Sequence, residues 1–259
     1  EESRTAFEEH LFEAAGYGKT DTGDCALHFT VSPEHQSGFE TLLESVRERF
    51  EMRLEARFSV DFSVQAPSTD TIAVDMDNQP FRRKDGSLLF RPGGHGALIE
   101  NLNNLAGDLV FIKNIDNVVH DRFKGETIEW KQLLCGYLLI IQEQIFQYIQ
   151  TLKQGPPDAG VIEEITGFVK SDLSLTPPKS FYDGDAEAKR RYLLDRLNRP
   201  LRVCGMVPNS GEPGGGPFWV KDKDGHLSIQ IVETSQIDPD DDGQQAIQQG
   251  LTHFNPVDL

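Results

Sequence analysis

Two clusters in the middle of the sequence have residue types and spacing suited to binding a phosphate-bearing ligand. The first cluster is a glycine loop that contains Gly93, Gly94, His95 and Gly96. Glycines let a backbone approach a ligand closely, and N–H groups at the start of a helix favour anions. The second cluster contains Lys113 and Asp116. A carboxylate there can hold Mg²⁺ against phosphate oxygens, and a lysine can neutralise phosphate charge.

The elements around these clusters predict where they lie. The glycine loop follows a predicted short strand, Leu88–Phe90, and precedes a predicted helix, Ala97–Leu105. Lys113 and Asp116 follow a predicted buried strand, Asp108–Ile112. Ligands of open α/β sheets bind outside the carboxyl ends of strands, so we expect both clusters at such a position. The sequence leaves two simpler interpretations open: a tight structural connection for the glycines and a surface carboxylate for Asp116.

Other candidate residues also fall at predicted strand ends or in loops. Gln65 ends the alternating strand Arg57–Val64, and its amide can both donate to and accept from a nucleotide base. Glu233 ends the predicted strand Leu227–Glu233 and can accept hydrogen bonds from sugar hydroxyls. A second glycine loop contains Gly214 and Gly215. Each of these residues, considered alone, is also explained as an ordinary polar or turn residue.

The remaining sequence predicts an α/β fold with a helical insertion at 120–199. Apolar periodicity and cap residues predict helices at Glu1–Ala15, from Ser32 to Phe50, and at Thr127–Thr151, Val161–Val169, Glu187–Leu197 and Gly243–Gly250. Apolar or alternating runs predict further strands at Cys25–Val31, Ile72–Val74, Leu201–Val207 and Phe218–Lys221. Turn residues predict hairpins at 84–86 and 224–225.

Composition excludes several classes of function. The chain has 25 Lys and Arg against 42 Asp and Glu, a formal net charge of -17, which argues against a nucleic-acid partner. The mean hydropathy is -0.43, and no apolar run approaches a membrane span, so we expect a cytoplasmic protein with no membrane partner. The cysteines Cys25, Cys135 and Cys204 are widely spaced, which favours reduced thiols.

Five motifs, in order along the chain, carry a resemblance to a known family. They are FSVQ at 62–65, RPGGHG at 91–96, KNIDN at 113–117, DGHLSIQIVETSQI at 224–237 and HFNPVDL at 253–259. Together they resemble the nucleotide-sugar pyrophosphorylases, the enzymes that make UDP-glucose and UDP-N-acetylhexosamines. The chain also resembles an uncharacterised bacterial family of unknown function that is distantly related to those enzymes. The resemblance covers 58–119 and 218–259, and not the helical insertion.

The resemblance implies a glycosyltransferase-A-like fold, a mixed sheet with flanking helices, in a single nucleotidyltransferase-like domain over 1–259. It implies that a nucleoside triphosphate, with UTP favoured, reacts with a sugar 1-phosphate and releases pyrophosphate. Gln65 and Gly94 would contact the base, and His95 and Gly96 would shape the same loop. Asp116 would bind Mg²⁺ and phosphates. The sugar would be bound by Glu233 and Asn255.

Two departures from the family pattern keep other functions open. Ala97 stands where the family commonly has Asp, and the segment before Cys25 does not match the glycine-rich loop with Lys or Arg that holds the triphosphate in the family. We therefore expect either a fragment that lacks the triphosphate-binding loop or a protein without that activity. The alternatives are a non-catalytic nucleotide-sugar binding protein and a glycosyltransferase of the same fold.

Overall fold

The computed structural model describes residues 3–211 and 214–257, without the side chain of His95. Glu212 and Pro213 of the second glycine loop lie outside this part. The chain forms two compact units, one made of Glu1–Val110 and Val118–Lys124 and the other of Phe111–Asn117 and Gly125–Leu259. The fold class is mixed α/β, with helices and small sheets of two or three strands.

The first unit begins with a parallel strand pair and two helices. Its elements are α1 (Ala6–Tyr17), β1 (Asp24–Thr30), α2 (Gln36–Leu54), β2 (Arg57–Ser63), β3 (Thr71–Ile72), β4 (Phe90–Arg91), α3 (Ile99–Asn104) and the start of α4 (Asp121–Lys153). The register runs from Asp24 beside Arg57 to Thr30 beside Ser63. The predicted strands at Cys25–Val31 and Arg57–Val64 are confirmed.

The core of the first unit follows the predicted apolar faces. Buried side chains from both helices and both parallel strands meet there: Phe7, Leu11, Cys25, Leu43, Val46, Phe50, Ala56 and Phe58. The ring centroids of Phe7 and Phe29 lie 4.7 Å apart. The predicted start of α2 at Ser32 is wrong. The Ser32 hydroxyl is bonded to Nδ1 of His35 at 2.7 Å instead of capping a backbone N–H, and the helix begins at Gln36.

An ion-pair network in the first unit is buried against an aromatic ring. The side chains of Arg4 and Lys124 are 1% and 4% exposed, and both pair with the carboxylate of Glu9. The Arg4 guanidinium lies 4.6 Å from the ring centroid of Phe12, and the Lys124 ammonium lies 5.7 Å from it. Buried charges require such pairing because isolated ions lose their hydration.

The second unit combines a helical core with antiparallel strands. Its further elements are α5 (Ala159–Ser171), β5 (Leu175–Thr176), α6 (Lys179–Asp183), α7 (Ala186–Leu197), β6 (Val207–Pro208), β7 (Gly216–Lys221), β8 (Leu227–Val232), α8 (Asp242–Gln249) and β9 (His253–Phe254). The core contains Ile141, Ile145, Ile149, Leu152, Ile162, Ile165, Val169, Phe181, Leu193 and Leu197. The predicted helices of the 120–199 region and the β7–β8 hairpin are confirmed, and β5 pairs with β8.

Four predicted strands are wrong or much shorter than expected, and of Ile72–Val74 only Ile72 lies in a strand, β3. Asp108–Ile112 forms no strand, and the run is not buried as expected: the side chains of Leu109 and Val110 are 40% and 37% exposed. A short apolar run specifies a strand only when a neighbouring strand is available. Leu88–Phe90 is reduced to an isolated bridge at Leu88 and the two-residue β4, and only the last residue of Leu201–Val207 is in a strand.

None of the helices in the described part of the chain is long and apolar enough to cross a membrane. Cys25, Cys135 and Cys204 are free thiols, as expected. Burial raises the pKa of the Cys25 thiol to about 11, so this cysteine is protonated at neutral pH.

Candidate functional site

Asp116 lies at the tip of a turn and not at a strand end. The Asn117 N–H donates to the Asn114 carbonyl at 3.1 Å and closes this turn. Asp116 is exposed and Lys113 is half-buried. The predicted strand before Asp116 is absent, so the expected strand-end position of the carboxylate is wrong. Its exposed carboxylate nevertheless fits Mg²⁺, which prefers one or two carboxylates together with water and phosphate oxygens.

The Asp116 turn is attached to the segment that contains Asn255. The side-chain amide of Asn117 donates to the Pro256 carbonyl at 3.1 Å. Asn255 is 5% exposed, and its own amide donates to the Gly205 carbonyl at 2.7 Å. Its side-chain oxygen accepts from the Val257 N–H at 3.0 Å. Asn255 therefore connects two backbone segments, and both ends of its amide make these contacts.

The backbone is strained beside Asn255. Val257 has a φ of 56°, a left-handed conformation that is unfavourable for a β-branched residue. The hydrogen bond from its N–H to Asn255 helps to hold it there. Strained residues of this kind are concentrated at functional sites.

The second glycine loop packs closely against Asn255 and Glu233. The Asn255 N–H donates to the Gly215 carbonyl at 2.8 Å. A Cβ at Gly215 would lie 2.5 Å from Cγ2 of Ile231 and 2.9 Å from Oε1 of Glu233. A Cβ at Gly214 would lie 3.1 Å from the ring of Phe254. Both glycines therefore allow a close approach between protein segments, and Gly215 leaves the Glu233 carboxylate directly beside the backbone.

The first glycine loop belongs to the other unit and is less constrained. A Cβ at Gly93 would meet Cβ of Ala97 at 2.9 Å, whereas Gly94 and Gly96 face open space. Gly93, Gly94 and Gly96 all lack a positive φ, so none of them is required by a left-handed backbone conformation. The expected helix after the loop is a 3₁₀ turn followed by the six residues of α3, so its dipole is short.

Gln65, also in the first unit, makes an internal contact. Its amide donates to Oδ1 of Asp70 at 3.1 Å. The structure thus places Gln65, Gly93, Gly94, His95 and Gly96 in the first unit. The second unit contains Lys113, Asp116, Gly214, Gly215, Glu233 and Asn255.

A second cluster of polar and aromatic side chains, which we did not predict from the sequence, lies at the turn of the β7–β8 hairpin. His226 is 8% exposed, and its Nδ1 lies 2.8 Å from Oδ2 of Asp222. A guanidinium nitrogen of Arg196 lies 2.9 Å from Nε2 of the same ring. The ring of Tyr192 stacks on His226, with centroids 5.5 Å apart. The Asp-x-Asp-x-His spacing at 222–226 was a usable signal, but the contribution of α7 was not visible in the sequence.

Hydrogen bonding and burial determine the protonation states of Asp222 and Tyr192 in this cluster. Partial burial opposes ionisation of Asp222, but backbone and side-chain hydrogen bonds from His226 outweigh it and hold the pKa of the carboxyl below its usual value. Burial raises the pKa of Tyr192 to about 12 despite the nearby Arg196. At neutral pH the site therefore contains a carboxylate and a protonated phenol.

A metal ion fits this cluster poorly, although Asp222, Asp224 and His226 offer ligand atoms within 4.8 Å of one another. Metal-binding histidines usually donate their second N–H to an acceptor. Here the second nitrogen faces Arg196, which is cationic and can only donate. We therefore interpret the cluster as a hydrogen-bonded chain from Asp222 through His226 to Arg196.

Comparison with known proteins identifies one family. The family described as "Domain of unknown function (DUF4301)" matches residues 1–259. Neither the curated proteins nor the solved structures contain a significant match. Because the family match spans the whole sequence, the chain belongs to the DUF4301 family.

Proposed function

We propose that the chain is a Mg²⁺-dependent nucleotidyltransferase with a glycosyltransferase-A-like fold. It joins a nucleoside triphosphate, with UTP favoured, to a sugar 1-phosphate and releases pyrophosphate. The observation that supports this proposal most is the hydrogen bond between Asn117 and Pro256, which are 139 residues apart. It brings together the segment expected to bind metal and phosphate and the segment expected to bind the sugar.

In the proposed reaction, a phosphate oxygen of the sugar 1-phosphate attacks the α-phosphorus of the triphosphate. A new P–O bond forms, the bond to the β-phosphate bridging oxygen breaks, and pyrophosphate leaves with both electrons. Asp116 would hold Mg²⁺, which supplies charge neutralisation on the phosphates when bound. Lys113 would neutralise further phosphate charge, and Glu233 would accept hydrogen bonds from sugar hydroxyls. The contribution of the protein is positioning and electrostatic stabilisation.

A second candidate, a nucleotide-sugar binding protein without catalysis, rests on the departures from the family pattern at Ala97 and before Cys25. The Asn255 amide is bonded to the backbone at both ends, and the Gln65 amide donates to Asp70, so a ligand would have to replace these contacts to bind either side chain. A glycosyltransferase of the same fold remains a third candidate and would release a nucleoside diphosphate.

The decisive experiment compares two substitutions that remove the same charge from the second unit. Asp116→Asn removes the proposed metal ligand, and Asp240→Asn alters an exposed carboxylate of an acidic loop. Pyrophosphate release is measured with UTP, MgCl₂ and either glucose 1-phosphate or N-acetylglucosamine 1-phosphate. We expect turnover by the wild type and by Asp240→Asn, and a loss of at least 100-fold in Asp116→Asn.

The other outcomes separate the candidates. Equal turnover by the two variants would overturn the role of Asp116. Tight binding of UDP-glucose by calorimetry without any turnover would establish the binding protein. Release of UDP from UDP-glucose on an acceptor sugar would identify a glycosyltransferase.

A further inference from the structure

We propose that a cavity in the second unit binds a neutral, hydroxyl-rich ligand of monosaccharide size. The cavity lies between α6, α7 and the β7–β8 hairpin, and its volume is about 260 Å³. The lining residues that matter here are Ser180, Phe181, Ala188, Tyr192, Asp224 and His226. None of them has a role in the proposed nucleotidyl transfer. Pockets for drug-sized ligands span about 300–1,000 Å³, so this one suits a smaller molecule.

One wall of the cavity is aromatic. The ring centroids of Phe181 and Tyr192 lie 4.8 Å apart, and Tyr192 stacks on His226 with an angle of 15° between the planes. Phe181 and His226 are 7% and 8% exposed, so the rings are held in place by their surroundings. The C–H face of a sugar ring is apolar and packs against such a wall, while its hydroxyls stay at the edge.

Polar groups suited to hydroxyls surround this wall. Asp224 offers an exposed carboxylate, which accepts hydrogen bonds, and Ser180 offers a hydroxyl that both donates and accepts. The hydroxyl of Tyr192 is buried beside the Arg196 side chain, so the contribution of Tyr192 to this site is its ring.

The charges around the cavity select a neutral ligand. The carboxylate of Asp224 in the lining, and that of Asp222 bonded to the lining residue His226, disfavour phosphates and other anions. The Arg196 guanidinium, 5.4 Å from the ring centroid of Tyr192 and 2.9 Å from Nε2 of His226, disfavours amines and metal ions. A ligand with several hydroxyls and no charge avoids both penalties.

The test measures direct binding, so it does not depend on turnover. The probes are methyl α-glucoside, methyl β-galactoside and N-acetylglucosamine, each followed by saturation-transfer NMR against the full-length protein. Ala188→Leu fills the cavity with a good helix former. Ala246→Leu makes the same change at an exposed position of α8. We expect saturation transfer to at least one sugar, its dissociation constant raised at least tenfold by Ala188→Leu and unchanged by Ala246→Leu.

A second variant tests the polar contact without changing the volume. Asp224→Asn keeps the shape of the side chain and replaces the carboxylate by a weaker hydrogen-bond acceptor. We therefore expect a several-fold loss of sugar affinity with an unchanged circular dichroism spectrum. Three results would each overturn the proposal: no transfer to any sugar, equal affinities of Ala188→Leu and Ala246→Leu, or displacement of the sugar by inorganic phosphate or ZnCl₂. Failure of the nucleotidyl-transfer proposal would show separately, as absent pyrophosphate release with intact sugar binding.

Discussion

The side-chain amide of Asn117 donates to the carbonyl of Pro256 at 3.1 Å and fixes the Asp116 turn to the Asn255 segment. Two motifs that lie far apart in the sequence are thereby held side by side in the second unit. Because a single side chain donates this hydrogen bond, a single substitution can test it.

We expect Asn117→Asp to loosen this connection. A carboxylate cannot donate and repels the Pro256 carbonyl, so the free energy of unfolding of the second unit should fall by about 1–2 kcal/mol. Urea denaturation followed by tryptophan fluorescence measures it, since both tryptophans, Trp130 and Trp219, lie in this unit. Gln147→Glu, at an exposed position of α4 in the same unit, is the control for the added charge. Equal effects of the two substitutions would contradict the anchoring role.

Alanine substitutions in the two glycine loops should have opposite effects on stability. Gly215→Ala places a Cβ 2.5 Å from Ile231, so we expect a loss of about 1–3 kcal/mol of unfolding free energy. Gly94→Ala meets open space at a φ of −75°, so stability should stay constant or rise by up to about 1 kcal/mol. If Gly94 contacts a nucleotide base, the same variant raises the KM for UTP. Thermal unfolding and steady-state kinetics measure both effects, and a stable Gly215→Ala would refute the packing argument.

Glu9→Gln should destabilise the first unit strongly. The substitution removes the charge of one carboxylate that pairs with the buried side chains of Arg4 and Lys124, while Asp121 still pairs with both. We expect the free energy of unfolding to fall by about 1.5–3 kcal/mol, the usual contribution of hydrogen bonds to charged groups. Glu48→Gln, exposed on α2 in the same unit, removes the same charge and should change stability by less than about 0.5 kcal/mol. Guanidinium denaturation followed by circular dichroism compares them. Similar midpoints for the two variants would mean that the network is not stabilising.

Tyr148 should ionise late in an alkaline titration. Burial, aided by the hydrogen bond that its hydroxyl donates to Glu164 at 2.9 Å, raises its pKa to about 12. A raised pKa favours the neutral form in the folded state, so the stabilisation is complete below the ordinary pKa of about 10 and is lost as the pH rises toward 12. The stability difference between wild type and Tyr148→Phe should therefore be constant up to about pH 10 and then shrink. Tyr137→Phe, at an exposed position, controls for the loss of one phenol. A difference that stays constant at higher pH would contradict the assigned shift.

The helices and strands that could be predicted from the sequence are those whose residue pattern is long or is complete within a few residues. Alternation along Arg57–Val64 predicted β2, and the turn residues at Asp224-Gly225 predicted the β7–β8 hairpin, because each signal is complete within a few residues. The run Asp108–Ile112 failed because a strand also needs a neighbour, and the sequence does not say which segment is adjacent.

The sequence indicated candidate residues for the site, but it did not indicate which residues they contact. Asp116 and Asn255 were identified by motif, but the bond from Asn255 to Gly205 depends on a pairing across 50 residues. The contact of Arg196 with His226 was missed for the same reason, because it joins α7 to a hairpin 30 residues later. Gly215 was recognised as a close-approach position, but the sequence did not indicate that Ile231 and Glu233 are the side chains beside it.

The separation of partners along the chain also has a consequence for the order of folding. In the first unit β1 meets β2 across about 33 residues, so this pair can form early and closes a short loop. The contact between the segment at 113–117 and Pro256 spans 139 residues, and the contact between Asn255 and Gly205 spans 50. Contacts of long sequence separation form slowly. We therefore expect the metal-binding and sugar-binding halves of the proposed site to come together later in folding than the β1–β2 pair.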